Sequence, residues 1–161
     1  MNSLDFFNWS NNPWRGKPDG VWRIPGTCYT SATQCHLQDH APLLKRPSKI
    51  VWQNMVGYHN PAVPGSTIGK IGLQLCAYGA QDRVQNSSPD NLPSFRVLKE
   101  VEFAGAMTEV DHRWDHFTPA EIDALMAIKF RYGLIFLVRH KSNDGTTAPV
   151  WHSSRLLVEY Y

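Results

Sequence analysis

The strongest constraint on the fold lies at the C-terminal end. Gly133 to His140 reads Gly-Leu-Ile-Phe-Leu-Val-Arg-His, and Ser154 to Tyr161 reads Ser-Arg-Leu-Leu-Val-Glu-Tyr-Tyr. Between them lies a polar loop containing Asn143-Asp144-Gly145. Two β-branched and aromatic runs on either side of a turn signal predict a β-hairpin. The first run is apolar at nearly every position, the pattern of a strand buried on both faces. Leu134 to Val138 is therefore expected as a central strand, Arg155 to Tyr161 as its partner, and Lys141 to Ser153 as a surface corner. Such a segment needs a sheet core to complete, so the remaining chain is read for strands.

Those strands are short and separated by loops. Val21-Trp22-Arg23-Ile24 and the Thr/Ser-rich stretch from Thr27 to Thr33 are candidate edge strands. Lys49 to Val56 reads as a strand. From Ile68 to Tyr78 the alternation is regular, with Ile71, Leu73, Leu75 and Ala77 on one face. Phe95 to Phe103 places Phe95, Val97, Val101 and Phe103 on one face, interrupted by Lys99. Thr108 to Phe117 fits an irregular strand. One helix start is clear: Thr118-Pro119-Ala120-Glu121 supplies an N-cap, a proline at the first helical position and a glutamate three residues after the cap. Ile122, Leu125, Met126 and Phe130 fall at helical spacing, and the helix is expected from Pro119 to about Ala127. Short strands with one short helix and no βα alternation predict an all-β antiparallel β-sandwich, with a single jelly roll as the specific form.

Residues 1–20 are rich in Asn, Pro, Gly and Trp and show neither helical nor strand period. Phe6, Phe7, Trp9 and Trp14 are too apolar for a solvated tail. The segment is expected as an extended arm laid on its own domain or on a neighbouring subunit, with residues 21–161 forming the domain. A chain of 161 residues is long enough for one substantial core.

The charged fraction is 19%, below the usual quarter, while aromatics reach 12% with six Trp. That balance suits a loop-rich β domain whose surface is covered by partners. The net charge of +2 provides no global field for nucleic acid. Three cysteines, Cys28, Cys35 and Cys76, are too few and too odd in number for a disulfide framework. The longest apolar stretch, Leu134 to Val138, is too short to cross a bilayer, and the first residues lack the basic n-region of a signal peptide.

Candidate sites are sparse. Cys28, Cys35, His36 and His40 lack the paired-knuckle spacing of zinc ligands. Asp111-His112-Arg113-Trp114-Asp115-His116 is the densest polar cluster. In a helix, His112 and His116 would share a face as a metal pair, with Asp111 and Asp115 nearby. A salt-bridged segment or a subunit contact is the competing reading. No Gly-x-Ser-x-Gly elbow and no Walker loop occurs, so neither catalysis nor a cofactor is expected. Arg15, Lys17, Arg23, Lys45, Arg46 and Lys49 concentrate in the first third near Trp14 and Trp22, a weak nucleic-acid signature. Phe6, Phe7, Trp9, Trp14 and Trp151 are the expected anchors for contacts between subunits.

Three segments in order carry a resemblance. Ile71-Gly-Leu-Gln-Leu-Cys-Ala-Tyr78, Phe95-Arg-Val-Leu-Lys-Glu-Val-Glu-Phe103, and Gly133-Leu-Ile-Phe-Leu-Val138 followed by Trp151-His-Ser-Ser-Arg-Leu-Leu-Val-Glu-Tyr160 resemble strands of small icosahedral virus coat proteins. These are the coat proteins of plant satellite viruses and of circular single-stranded DNA viruses. The likeness covers roughly the last two-thirds of the chain. It implies a jelly roll, self-assembly into a virion shell around genomic nucleic acid, and no catalysis. One departure stands out: the first fourteen residues hold no Lys or Arg, where that family usually has a basic arm.

Overall fold

A computed structural model of the chain describes residues 2–7, 14–15, 22, 46–58, 71–82, 89–103, 111–131, 133–142 and 149–160. In chain order the strands are β1 (Asn2–Phe7), β2 (Trp14–Arg15), β3 (Lys49–Tyr58), β4 (Ile71–Gly79), β5 (Arg96–Phe103) and β6 (Asp111–His116). Helix α1 (Pro119–Met126) follows, then β7 (Leu134–Ser142) and β8 (Pro149–Glu159). A front sheet has the order β1-β8-β3-β6, with β2 also on β8; a back sheet has the order β5-β4-β7. Every described pairing is antiparallel. The fold is an antiparallel β-sandwich, as the strand pattern requires.

The interior is built by strict alternation. Ile50, Trp52, Leu156 and Val158 face inward from the front sheet, and Leu73, Leu75, Ala77, Phe136 and Val138 from the back sheet; all are buried. Trp52, wholly buried, donates its indole Nε1–H to Ser154 Oγ at 2.8 Å, so the one polar atom of the largest core side chain is satisfied. Helix α1 closes one end of the sandwich. Thr118 Oγ1 accepts from the Glu121 N–H and Glu121 Oε2 accepts from the Thr118 N–H, which is the predicted capping box. The same glutamate accepts from Lys99 Nζ at 3.0 Å. Lys99, which interrupts the apolar face of β5, is thereby tied to the helix and lies over the Phe117 ring. Gly133 takes φ 109°, open to glycine, where the chain leaves the helix for β7.

The predicted terminal hairpin does not form. β7 pairs with β4 in the back sheet, and β8 pairs with β3, β1 and β2 in the front sheet. The two runs have different burial needs. β7 is buried from Leu134 to His140 on both faces. β8 alternates, with Ser154, Leu156 and Val158 inward and Arg155 and Glu159 exposed. β7 therefore needs cover outside as well as inside, and the back sheet supplies it. There Gln74, Cys76, Tyr78, Ile135, Leu137 and Arg139 form a buried outer face, with Phe95 and Asp90 of the segment 89–95 against Arg139. Trp22 approaches the same face at Gly72, where an added Cβ would lie 3.0 Å from its ring, and carries Lys141 Nζ 4.7 Å from its ring centroid.

Two further expectations change. The N-terminal arm is extended but regular: Asn2 to Asp5 pair in register with Val158 to Arg155, and Trp14 stands opposite Trp151. An added edge strand takes its order from the backbone ladder of β8 and needs no period of its own. In β5 a register shift opposite Leu75/Cys76 moves the phase, so Val97 is 44% exposed while Leu98 is buried. The candidate strands at 21–24 and 27–33 lie outside the described residues, Trp22 apart.

Candidate interaction surface on strand β6

β6 folds as a strand because Asp111 to Phe117 lines up with β3: Val51 opposite His116, Gln53 opposite Trp114 and Met55 opposite His112. Alternation then sorts its side chains. Arg113 and Asp115 point into the sandwich. Arg113 lies over the Phe103 ring at 5.2 Å, donates through Nη1 to Glu102 O at 2.8 Å, and pairs through Nη2 with Asp115 Oδ1 at 2.8 Å. The pair is largely shielded, with Asp115 14% exposed, and Asp115 Oδ2 is buried without a hydrogen-bond partner. His112, Trp114 and His116 fall on the outer face and are exposed, Trp114 at 64%. Around them lie Gln53 and Met55, half-buried, and Val51, buried.

The cluster lies on a strand, not on the helix that the metal pair assumed. Four residues apart in a strand means roughly 13 Å between His112 and His116, too far for one ion. Asp115 turns to the other face of the sheet. No group of three or more His, Cys, Asp or Glu placed to hold a metal occurs among the described residues. Residues 28, 35, 36 and 40 lie outside them.

The basic set is not gathered into one patch among the described residues. Arg46 donates through Nε to Asp123 Oδ1 at 2.8 Å and through Nη2 to Pro119 O at 3.3 Å, holding the start of β3 to the helix. Lys49 is exposed opposite Glu159. Arg15 pairs by backbone with Val150. Lys17, Arg23 and Lys45 lie outside the described residues. Of the expected anchors, Phe6 and Phe7 belong to β1, Trp14 to β2 and Trp151 to β8; Trp9 lies outside the described residues. The two tryptophans thus stand opposite each other in the backbone register of one strand pair.

Elsewhere the polar groups serve the fold. An open groove of about 400 Å³ beside the helix is lined by Gln81, Asp82, Ser94, Arg96 and Lys129 among others. There Gln81 bridges Lys129 O and the Arg131 N–H, and Asp82 Oδ2 accepts from the Ser94 N–H. On the back sheet, burial pushes the Cys76 thiol up to about 12, against the opposing pull of the neighbouring Arg139 charge. It is a packing thiol, not a nucleophile. Comparison with protein-family models, with curated proteins and with solved structures finds no match.

Proposed function

We propose that the chain is a structural subunit that assembles with copies of itself, as a coat protein of a small icosahedral shell enclosing a genome. The observation that carries this reading is the contrast between the outer faces of the two sheets. The back sheet is covered by the chain's own residues, while the front sheet ends in a strand that holds Trp114 64% exposed. A large exposed aromatic on a rigid sheet is the kind of anchor interfaces are built on. Two antiparallel sheets, β1-β8-β3-β6 and β5-β4-β7, supply the sandwich of which a jelly roll is one form. On this reading the role is structural rather than catalytic.

The test is size-exclusion chromatography with negative-stain microscopy of the purified chain at varied pH and salt. Discrete particles are expected. A strictly monomeric species at high concentration in every condition overturns the reading. The same ring supports a second reading, a recognition module for carbohydrate, in which Trp114 stacks on a sugar ring and His112, His116 and Gln53 bond its hydroxyls. Glycan-array binding lost in Trp114→Ala would favour it.

A further inference from the structure

The open side of β6 has a defined phase. The Phe117 N–H donates to Ile50 O at 2.9 Å. In an antiparallel ladder, alternate residues turn both backbone groups toward the same neighbour. Residues 113, 115 and 117 therefore bond toward β3, while His112, Trp114 and His116 turn their N–H and C=O groups to the other side. Among the described residues no strand lies there. Isolated edge strands are commonly blunted by Lys, Pro, a bulge or inward-pointing charges. β6 has no Lys and no Pro, and its register against β3 is unbroken.

We propose that this edge pairs antiparallel with the same edge of a second copy of the chain, about a two-fold axis through Trp114. The proposal rests on the self-assembling reading and names one of its contacts. The sequence Asp-His-Arg-Trp-Asp-His is self-complementary in this register. Trp114 stands opposite Trp114, His112 opposite His116, and Arg113 opposite Asp115. The residues whose backbone groups are turned outward are the ones that meet, so each exchanges its N–H and C=O with its mate. On the outer face the two exposed indoles become a cross-strand aromatic pair. On the inner face the inward charges, which block an edge when they repel, are instead opposite in sign and attract. Asp115 Oδ2 is buried with no partner in the single chain. The guanidinium of Arg113 arriving from the second copy supplies the donor it lacks. The two front sheets become one continuous sheet.

Sedimentation velocity over a concentration series, with disulfide trapping, tests this. Residues opposite each other stand about 5.5 Å apart between Cα atoms, within the roughly 4.4–6.8 Å range a disulfide spans. In a Cys28→Ser, Cys35→Ser background, Trp114→Cys is expected to oxidise to a covalent dimer with a 114–114 link by peptide mapping. His112→Cys, whose mate lies roughly 13 Å along the strand, is expected not to link to itself. Trp114→Lys is expected to leave far-UV circular dichroism and melting temperature unchanged and to weaken self-association at least tenfold. Equal sedimentation of wild type and Trp114→Lys, or equal trapping at 112 and 114, overturns the contact. Negative stain separates the two readings. Particles formed by Trp114→Lys without trapping at 114 leave the shell reading standing and sink this contact. Trapped 114–114 dimers without larger particles do the reverse.

Discussion

Replacing Arg139 with Met tests what holds the outer layer onto the back sheet. Arg139 is 7% exposed on a face it shares with Gln74, Cys76, Tyr78, Ile135 and Leu137. Its Nη1 donates to both carboxylate oxygens of Asp90 at 2.9 and 2.8 Å, and its Nη2 to Gln74 Oε1 at 2.8 Å. The guanidinium lies 5.1 Å from the Phe95 ring centroid. Gln74 in turn donates to Glu100 at 2.7 Å. One cation thus ties segment 89–95 to β4 and, through Gln74, to β5.

Methionine keeps the stem that packs on the sheet and removes the fork. Gln74 Oε1 then loses its buried donor, which costs about 1–3 kcal/mol. The Asp90 pair counts for little, about 0.2–1 kcal/mol, because that carboxylate is 53% exposed and water replaces the partner. Stacking on Phe95 adds about 0.5–1 kcal/mol. Against these, Arg139 Nε is itself buried without a partner, and its removal returns about 1–3 kcal/mol. Taken at the middle of each range, the balance is a destabilisation of about 1–2 kcal/mol. Gln74→Met together with Arg139→Met removes both ends of the buried bond, so the double variant is expected to be less destabilised than the two singles added. Urea unfolding followed by fluorescence and circular dichroism, at constant m-value, measures all three. Additive effects, or an Arg139→Met variant as stable as wild type, would refute the clamp.

Two other perturbations check the core and the buried thiol. Phe136 is fully buried between the sheets, so Phe136→Ala should lower stability by about 3–5 kcal/mol, and Phe136→Asp should yield no soluble folded protein; unchanged melting of either would show β7 to be peripheral. Cys76, at about 12 in the fold against 9.0 for a free thiol, keeps its proton where the unfolded chain loses it. Its contribution is complete below pH 9 and declines as pH rises toward 12, at no more than about 1.4 kcal/mol per pH unit. The difference in unfolding free energy between wild type and Cys76→Ala should therefore narrow over that window, and a difference independent of pH would contradict the assignment.

Local order was legible in the sequence where one short-range rule decided it. The cap at Thr118 needs only its own turn, and the alternation from Leu73 to Ala77 needs only one core face, so both were readable. Burial of Leu134 to Val138 on both faces was likewise written in their side chains. The pairing partner of that strand was not. Asn143-Asp144-Gly145 marks a change of direction, but a change of direction serves equally for a hairpin and for a crossing between sheets. The choice depends on which sheet can cover a strand on both faces, and residues that meet β7 on its outer face, such as Phe95 and Asp90 at Arg139, are far away in sequence. The arm shows the same limit, since β1 is ordered by β8 rather than by its own residues.

That β6 is a strand was legible; which way its side chains face was illegible for a different reason, and the reason bears on its role. Hydrophobicity alone would turn Trp114 inward and Arg113 outward. The structure does the opposite: the guanidinium lies inside on the Phe103 ring and Glu102 O, and the indole stands 64% exposed. The register with β3 enforces this, because a one-residue slip would carry every side chain of the strand to the wrong face. Local consistency is what lets a sequence specify its fold, and places that break it are where function is paid for in stability. Turning Trp114 inward would bury more apolar surface in a monomer. Kept outward, on an edge whose sequence matches itself in antiparallel register, Trp114 is the side chain on which the proposed pairing with a second copy depends.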